Sequence, residues 1–238
     1  MARFYLPPEA WDNPVLSGDE ARHLSQVLRM KPGEPLVVFD GRGRRASAEV
    51  VSVSRDRVPL NLGEILPSCA LSPVITLAQA IPKGKNMDLV VQKSVELGIA
   101  AIQPLVTRNT IVQPGDGKSE KWRRVALEAC KQCGQDTLPE IGDPLTFDAW
   151  IARQSAVSGL KLIASLAPGA SPLRAVLHAH PDTADVTFLV GPEGDFTPPE
   201  TAAAIDAGFL PVTLGSIVLR VETATIFGLS ALRYEFGR

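Results

Sequence analysis

Near the carboxyl end of the chain, an apolar strand runs into a loop with two glycines and then into a capped helix. Val186–Val190 is apolar, Gly191-Pro192-Glu193-Gly194 follows it, and Thr197-Pro198-Pro199-Glu200 has the pattern of a capping box with proline in the first turn. Ligands of open parallel sheets bind at the carboxyl ends of strands, so we expect a cofactor at this loop. Its glycine spacing matches neither a phosphate loop nor a dinucleotide fingerprint. The alternative is a tight turn in which glycine only supplies backbone freedom.

A second passage of the same kind follows it. Leu210–Leu214 is apolar, Gly215 ends it, and Arg220 and Glu222 stand where a helix begins. Two such loops, each followed by a carboxylate, could together wall one pocket. At such a pocket, Arg220 and Glu222 are candidate functional residues. The alternative is an exposed surface ion pair, which contributes only about 0–1 kcal/mol to stability.

Other side chains with metal-binding potential have simpler explanations. Cys130 and Cys133 have the spacing of zinc ligands, but no second pair accompanies them and they lie along an apolar helix stripe, which favours packing. His178 and His180 lie near a predicted helix end, where capping is the favoured role. We predict that the protein uses no metal.

The elements that must position these loops alternate between strand and helix. Five short apolar runs separated by helical segments indicate an α/β domain whose parallel sheet is covered on both faces: Val74–Ala80, Ala101–Thr107, Leu160–Leu166, Val186–Val190 and Leu210–Leu214. One helix is predicted over 119–133, with Trp122, Val125, Ala126, Ala129 and Cys130 on its apolar stripe and Gly134 at its end.

The amino-terminal third has a different pattern of predicted elements, with one helix followed by strands. Ser17 and Glu20 have the spacing of a capping box, before an apolar stripe of Leu24, Val27 and Leu28. Period-two runs over Leu36–Phe39, Ala46–Val53 and Val58–Leu62 then predict strands, with Asp40-Gly41 as a hairpin signal. A small β-barrel-like module is expected, and the proline-flanked stretch at 66–73 marks the boundary between domains 1–68 and 73–238.

Composition narrows the class of protein. The 238 residues are 45% hydrophobic, which is ample for a buried core. No long apolar run or export signal appears, and the three cysteines do not suggest a disulfide framework, so we expect a cytoplasmic protein. The net charge of −2 does not by itself indicate a nucleic-acid-binding protein. Two basic clusters are either RNA contacts or solvated faces: Arg42, Arg44 and Arg45, and Lys118, Lys121, Arg123 and Arg124.

Taken together, these motifs resemble the ribosomal RNA small-subunit methyltransferase E family of the SPOUT superfamily. The resemblance spans the chain and rests on Gly191–Phe196 with its helix start, on the last motif over 214–224, on 81–85 with 92–98, on 128–135, and on His23 with 27–33. The chain departs from the family pattern at four positions: Asn109, Gln135, Asp195 and Ile217.

The resemblance implies a fold and a set of partners. It implies a carboxyl-terminal SPOUT domain with a trefoil knot that binds S-adenosylmethionine, and an amino-terminal PUA-like β-barrel that binds RNA. It also implies a homodimer whose second subunit completes the pocket, and 16S ribosomal RNA of the small subunit as substrate. The lack of a long apolar run separately predicts no membrane association.

The resemblance also assigns residues to roles. Arg220 and Glu222 are expected to be catalytic. The expected cofactor-binding residues are Leu166, Gly191, Pro192, Glu193, Gly194, Leu214, Gly215, Val218, Leu219 and Arg220. The expected RNA-binding residues are Arg3, His23, Arg29, Arg42, Arg44, Arg45, Lys83, Lys85, Lys93, Arg108, Lys121 and Arg124.

The implied reaction is methylation of N3 of a uridine. Uracil N3 carries a proton, so the reaction requires a base and positive or hydrogen-bonding groups that stabilise the anion. Arg220 with Glu222 is the first candidate set, with Lys83 and Arg3 positioning RNA, and the base is left open. Two alternatives remain: a SPOUT enzyme that methylates ribose 2′-O or guanine N1, and an RNA-binding assembly factor without activity.

Overall fold

A computed structural model describes residues 1–67, 71–112, 115 and 117–237, and it does not describe the side chain of Pro67. The chain forms two compact units. One comprises Met1–Ala70 with Leu127–Leu138, and the other comprises Leu71–Ala126 with Pro139–Arg238. The expected boundary falls partly at 68–70, outside the described residues.

The first unit is built on a five-stranded sheet. Its strands are β1 (Arg3–Tyr5), β2 (Val15–Ser17), β3 (Pro35–Phe39), β4 (Arg44–Val50) and β5 (Arg57–Pro67). Their order is β1-β3-β4-β5-β2, with β1 and β3 parallel and the other neighbours antiparallel. Alternate residues of β4 are buried, as the period of two predicts. The Asp40-Gly41 hairpin is confirmed, because Phe39 pairs with Arg45 across it.

The helix after β2 differs from its prediction. Helix α1 (Gly18–Arg22) continues as a π-helical segment over His23–Leu28, but the Ser17 side chain makes no cap hydrogen bond. Glu20 instead accepts hydrogen bonds from the Tyr5 amide at 3.1 Å and from Lys131 Nζ at 2.8 Å. The predicted capping box is therefore wrong. Only Leu24 of the predicted stripe is buried, since Val27 and Leu28 are exposed.

The second unit contains an eight-stranded sheet in which every pairing is parallel. Its strands are β6 (Val74–Ala80), β7 (Ala101–Val106), β8 (Glu140–Ile141), β9 (Leu145–Thr146), β10 (Leu160–Ala164), β11 (Ser171–Pro172), β12 (Asp185–Val190) and β13 (Leu210–Thr213). Their order is β11-β13-β10-β12-β6-β7-β8, with β9 also paired to β7. The central strands are buried along nearly their whole length, as both-face coverage requires. The predicted α/β fold with a mainly parallel sheet is confirmed.

Helices fill connections between these strands, and a final helix follows the last strand. They are α2 (Asn86–Glu96), α3 (Lys118–Cys133), α4 (Phe147–Ile151), α5 (Leu173–His178), α6 (Pro198–Asp206) and α7 (Val221–Phe236). Short 3-10 turns occur at Pro8–Ala10 and Gln154–Ala156. The capping box of α6 is confirmed: the Thr197 hydroxyl accepts from the Glu200 amide, and the Glu200 carboxylate accepts from the Thr197 amide.

Helix α7 packs against strand β12 through a glycine. A Cβ built on Gly228 would lie 2.4 Å from Phe188 Cε1, closer than any real contact, so only glycine permits this approach. The contact holds the amino end of α7 close to the carboxyl ends of the strands, where the candidate site lies. Within the described part of the chain, no helix is long and apolar enough to cross a membrane. The trefoil knot stays a prediction.

Candidate active site

A cavity of about 410 Å³ lies at the carboxyl ends of β10, β12 and β13. Three loops wall it, over 164–166, 190–195 and 213–219, and the first turn of α7 closes it. Because parallel strands end at the same edge of a sheet, loops that are distant in sequence converge there. Both glycine loops singled out in the sequence therefore meet at one cavity.

The loop after β12 is held in a single tight conformation. Asp195 has a φ of 57°, a left-handed conformation that is uncommon for residues other than glycine. Its Oδ1 accepts a hydrogen bond from the Phe196 amide at 2.8 Å, which stabilises that conformation locally. Asn109 Nδ2 donates to the carbonyls of Gly194 and Asp195, both at 2.9 Å. The loop is thereby tied to the turn that follows β7.

Glu193 lies on the wall of this cavity with one oxygen held by backbone. Its Oε1 accepts a hydrogen bond from the Lys83 amide at 2.9 Å. The residue is exposed and also lines a neighbouring concavity. Its carboxylate therefore lies where the two spaces adjoin.

Arg220 and Glu222 both line the cavity, but through separate contacts. Arg220 is the N-cap residue of α7 and is exposed. Glu222 Oε2 accepts a hydrogen bond from Asn86 Nδ2 at 3.3 Å, so the carboxylate is oriented by the start of α2. Although both side chains belong to the described residues, they form no ion pair with each other. Their proximity in sequence reflects a shared cavity wall.

A buried polar bridge lies one helical turn beyond Glu222. Thr225 Oγ1 donates to Gln79 Oε1 at 2.6 Å, and both side chains are fully buried. Gln79 Nε2 donates in turn to the Ala80 carbonyl at 2.9 Å. Buried polar side chains are costly unless they are satisfied, so this bridge favours one position of α7 on strand β6. It helps to hold the turn that carries Arg220 and Glu222.

Large apolar side chains at the cavity are exposed to an unusual degree. Leu166 is 61%, Ile217 76% and Val218 72% exposed. Apolar surface concentrated at a concave site marks a place where a ligand or another protein binds.

The structure brings nearly all of the predicted cofactor residues together. Leu166, Gly191, Pro192, Glu193, Leu214, Gly215, Val218, Leu219 and Arg220 line the cavity, whereas Gly194 lines only the neighbouring concavity. The lining residues that sequence reasoning did not assign include Asn86 and Asp195. Asn86 follows the Lys83-Gly84-Lys85 motif at the start of a helix, which was the available signal.

The predicted RNA-binding residues of the second unit fall into two groups. Lys83 and Arg108 line the neighbouring concavity, and Lys85 is exposed. The others lie closer to a carboxylate than Arg108, which is 3.8 Å from Asp148: Lys93 lies 2.8 Å from Glu96, Lys121 pairs with Asp88, and Arg124 lies 3.6 Å from Glu120. Arg123 pairs with Asp143 at 2.9 Å. The cluster on α3 is thus largely neutralised by its own neighbours, which favours the solvated-face interpretation.

In the first unit, the predicted RNA-binding residues differ widely in exposure. Arg3 is nearly buried and its guanidinium lies 2.6 Å from Asp136, so it has a structural partner. Arg44 pairs with Asp40 at 2.6 Å and lies over the Trp11 ring, and Arg45 lies 3.6 Å from Asp136. These two nevertheless keep about half of their surface, while Arg29 and Arg42 are exposed and His23 is half-buried beside Phe4. The β3–β4 turn is the cationic feature of this unit.

None of the residues of the cysteine and histidine pairs lines the cavity. Cys130 is buried, which raises the pKa of its thiol to about 12. His180 Nδ1 lies 2.8 Å from the Val176 carbonyl at the end of α5, as expected for helix capping, and His178 lies 3.3 Å from Glu235. Among the described residues, no group of three or more His, Cys, Asp or Glu side chains is arranged to hold a metal ion.

Comparison with known proteins now places the chain in a class. The RNA methyltransferase domain family matches residues 70–233, and the RNA methyltransferase PUA domain family matches residues 16–61. A methyltransferase of Legionella pneumophila with bound S-adenosylmethionine is 35% identical, with a TM-score of 0.87 over 100% of this chain and 99% of that one. The fold is that of an RNA methyltransferase.

More specific relatives share one name. The ribosomal RNA small subunit methyltransferase E of Synechocystis is 32% identical over 92% of this chain and 72% of that protein. The enzyme of the same name from Neisseria gonorrhoeae, solved with S-adenosylmethionine, is 32% identical, with a TM-score of 0.89 over 100% and 98% of the two chains. The chain belongs to the ribosomal RNA small subunit methyltransferase E family, as its motifs predicted.

Proposed function

We propose that this protein transfers a methyl group from S-adenosylmethionine to N3 of a uridine in 16S ribosomal RNA of the small subunit. The observation that carries the proposal is the convergence of both glycine loops, Arg220 and Glu222 on one cavity. Membership of the methyltransferase family supplies the reaction class, and the names of the relatives supply the substrate.

The cavity has the chemistry that the methyl donor requires. Its volume of about 410 Å³ lies within the range of small-molecule sites, about 300–1,000 Å³. Apolar side chains suit a purine ring, and three carboxylates suit a sulfonium and an ammonium group: Glu193, Asp195 and Glu222. The first turn of α7 presents unpaired amides to the carboxylate end of such a ligand.

The protein's own groups then prepare the uridine. The bound donor supplies an electrophilic methyl group, so no covalent enzyme nucleophile is required. Arg220 stabilises negative charge that develops on the uracil when N3 loses its proton. Glu222, oriented by Asn86, fixes the geometry of the same wall.

The active form is a homodimer that acts on the small subunit in the cytoplasm. An apolar groove of about 550 Å³ adjoins the donor cavity and shares Thr213, Leu214 and Gly215 with it. Phe227 and Tyr234, seven residues apart on α7, project into this groove and are 48% and 89% exposed. A second copy of the chain would cover both side chains and complete the donor site.

Methylation of unmodified small subunits with labelled S-adenosylmethionine tests this proposal. We expect one labelled uridine, which stops reverse transcriptase because the N3 methyl removes a Watson–Crick donor. Arg220→Ala and Glu222→Ala should remain folded and lose at least about tenfold in rate, equivalent to about 1.4 kcal/mol of transition-state stabilisation. Arg153→Ala, an exposed arginine away from the cavity, is the matched control.

Other outcomes would identify the alternatives. A methyl group on ribose would indicate another branch of the superfamily. RNA binding without any transfer would indicate an assembly factor. Full activity in both variants would show that the reaction occurs elsewhere.

A further inference from the structure

A second concavity adjoins the donor cavity across Glu193. It has a volume of about 460 Å³ and is more open to solvent than the first. Lys83, Arg108, Asn109, Ile111 and Glu193 contribute to its lining. Glu193 lines both spaces, so a molecule bound in the second would lie directly beside one bound in the first.

The wall formed by the turn after β7 is rigid. The Thr107 amide donates to Thr110 Oγ1 at 2.9 Å, which closes the turn. The Arg108 amide donates to Glu200 Oε1 at 2.9 Å, and Glu200 is itself buried by the capping box of α6. Asn109 adds its two hydrogen bonds to the donor loop. The backbone of Arg108 is therefore fixed, while its side chain is 75% exposed.

The side chains that face this concavity suit a nucleotide. Lys83 and Arg108 are both exposed and offer positive charge to a phosphate or to an anionic base. Arg108 lies 3.8 Å from Asp148, but both are about three-quarters exposed, and such a pair does little to neutralise the guanidinium. Ile111, 68% exposed, offers an apolar surface to the face of a base.

One oxygen of the Glu193 carboxylate is held by backbone, and the other has no such partner. The Lys83 amide occupies Oε1, so Oε2 is left to accept a proton from a ligand. Arg220, Asp195 and Glu222 are the other charged groups around the donor cavity, and Lys83 and Arg108 are those on the nucleotide side. Glu193 is the carboxylate common to both.

We propose that this second concavity receives the target uridine nucleotide and that Glu193 accepts its N3 proton. The inference rests on the proposed function. The N3–H bond breaks, the proton passes to Glu193, N3 forms its bond to the methyl carbon, and the carbon–sulfur bond breaks to leave the neutral thioether. The proton then leaves Glu193 for solvent. The positive charge of Lys83 and Arg108 lowers the cost of the uracil anion.

Binding of uridine 5′-monophosphate, measured by saturation-transfer NMR in the presence of S-adenosylhomocysteine, tests the site without turnover. The double variant K83Q/R108Q should bind the nucleotide at least about tenfold more weakly, since charge-assisted hydrogen bonds are the strong ones. Its KM for small subunits should rise, while its affinity for S-adenosylmethionine stays within about twofold. R153Q is the matched control. An equal loss in R153Q, or unchanged binding in the double variant, would overturn the site.

Glu193→Gln tests the proton acceptor, because glutamine keeps an oxygen for the Lys83 amide but cannot take the proton. We expect kcat, measured at saturating donor, to fall at least about a hundredfold. The remaining rate should rise about tenfold per pH unit, as only the already ionised uracil reacts, and Glu193→Asp should restore part of the activity. A loss confined to donor affinity would assign Glu193 to the donor site alone.

The proposed function and the nucleotide site are tested by separate outcomes. If the wild-type protein does not methylate uridine N3, the proposed function is wrong, whatever the nucleotide-binding result. If it does, but K83Q/R108Q and Glu193→Gln both behave like R153Q, only this inference is wrong.

Discussion

The ionisation of the Cys130 thiol depends directly on the burial of its side chain. Its side chain is fully buried on α3, and burial, with a smaller contribution from Cys133, raises the pKa of its thiol to about 12, whereas the ordinary value is 9.0. The unfolded chain therefore releases this proton about three pH units before the folded chain does. The contribution to stability is fully present below pH 9 and is lost as the pH rises towards 12.

We predict that the stability advantage of the wild type over Cys130→Ala shrinks as the pH rises above 9. The decrease should approach about 1.4 kcal/mol per pH unit, the value for one proton. Urea unfolding of both proteins at pH 8, 9 and 10 measures it, and tyrosine and lysine titrations cancel in the difference. Parallel curves over this range would mean that the folded thiol ionises normally.

Glu20 shows why some residues could not be assigned from sequence. Its spacing from Ser17 predicts a capping box, yet its carboxylate binds Lys131, more than a hundred residues away. Burial alone would lower the pKa of Lys131, but hydrogen bonds and charges from Glu20 and Glu128 outweigh that effect and raise it. Here a long-range ion pair forms in place of the hydrogen bonds of a local capping box. Local sequence spacing cannot predict a partner that is distant in sequence.

At the scale of elements, the turn after β7 and the loop after β12 are joined by hydrogen bonds. The sequence resemblance predicts departures from the family pattern at Asn109 and Asp195, and the structure joins these two positions through a hydrogen bond from the Asn109 side-chain amide to the Asp195 carbonyl. A residue other than glycine in a left-handed conformation costs free energy. The hydrogen bond from the Asn109 side-chain amide helps to offset that cost, so Asn109 compensates for the backbone strain at Asp195.

We predict that Asn109→Ala loosens the donor loop and weakens binding of S-adenosylmethionine about 5- to 30-fold, because two hydrogen bonds are worth about 1–2 kcal/mol together. Calorimetry measures the affinity, and Asn61→Ala, an exposed asparagine of β5, is the control. If Asp195→Gly restores binding to the Asn109 variant, strain at residue 195 is the reason. Unchanged affinity in Asn109→Ala would show that the loop holds its shape without this contact.

Strands were the elements most accessible to prediction. Val74–Ala80 coincides with β6, and the other apolar runs lie within two residues of β7, β10, β12 and β13, because a strand buried on both faces leaves a continuous apolar signature. The two-residue strands β8, β9 and β11 leave no such signature, since they carry too few residues for any period. The site was predictable for the same reason: its loops follow the strands that were easiest to recognise. Asn86 was missed because its role depends on a tertiary contact with Glu222.

At the scale of the whole molecule, each compact unit is built from two separate stretches of the sequence. Leu127–Leu138 belongs to the same compact unit as Met1–Ala70, although it lies in the sequence between segments of the other unit. The boundary expected at 66–73 lies at a break in the periodicity of apolar residues. Such a break depends only on the local sequence. Contacts such as Arg3 with Asp136, which draw a later segment into the first unit, are invisible to that signal.

The apolar face of α7 leads to a prediction about assembly. Phe227 and Tyr234 line the groove that adjoins the donor cavity, and exposed aromatic side chains of this size are rarely left in water without a function. We predict that the protein is a dimer in dilute solution, with twice the 25.4 kDa mass of the chain. The double variant F227D/Y234D should be a folded monomer, because a charge on each copy would be buried in the interface.

The same variant distinguishes a functional interface from an incidental one. Because the groove shares Thr213, Leu214 and Gly215 with the donor cavity, separating the subunits should also weaken binding of S-adenosylmethionine, by at least about tenfold if the second subunit covers the exposed apolar wall. Light scattering gives the mass and calorimetry the affinity, with V51D, an exposed valine of the first unit, as the control. A wild-type mass of 25.4 kDa would contradict the dimer. A monomeric variant with unchanged affinity would show instead that each subunit builds its donor site alone.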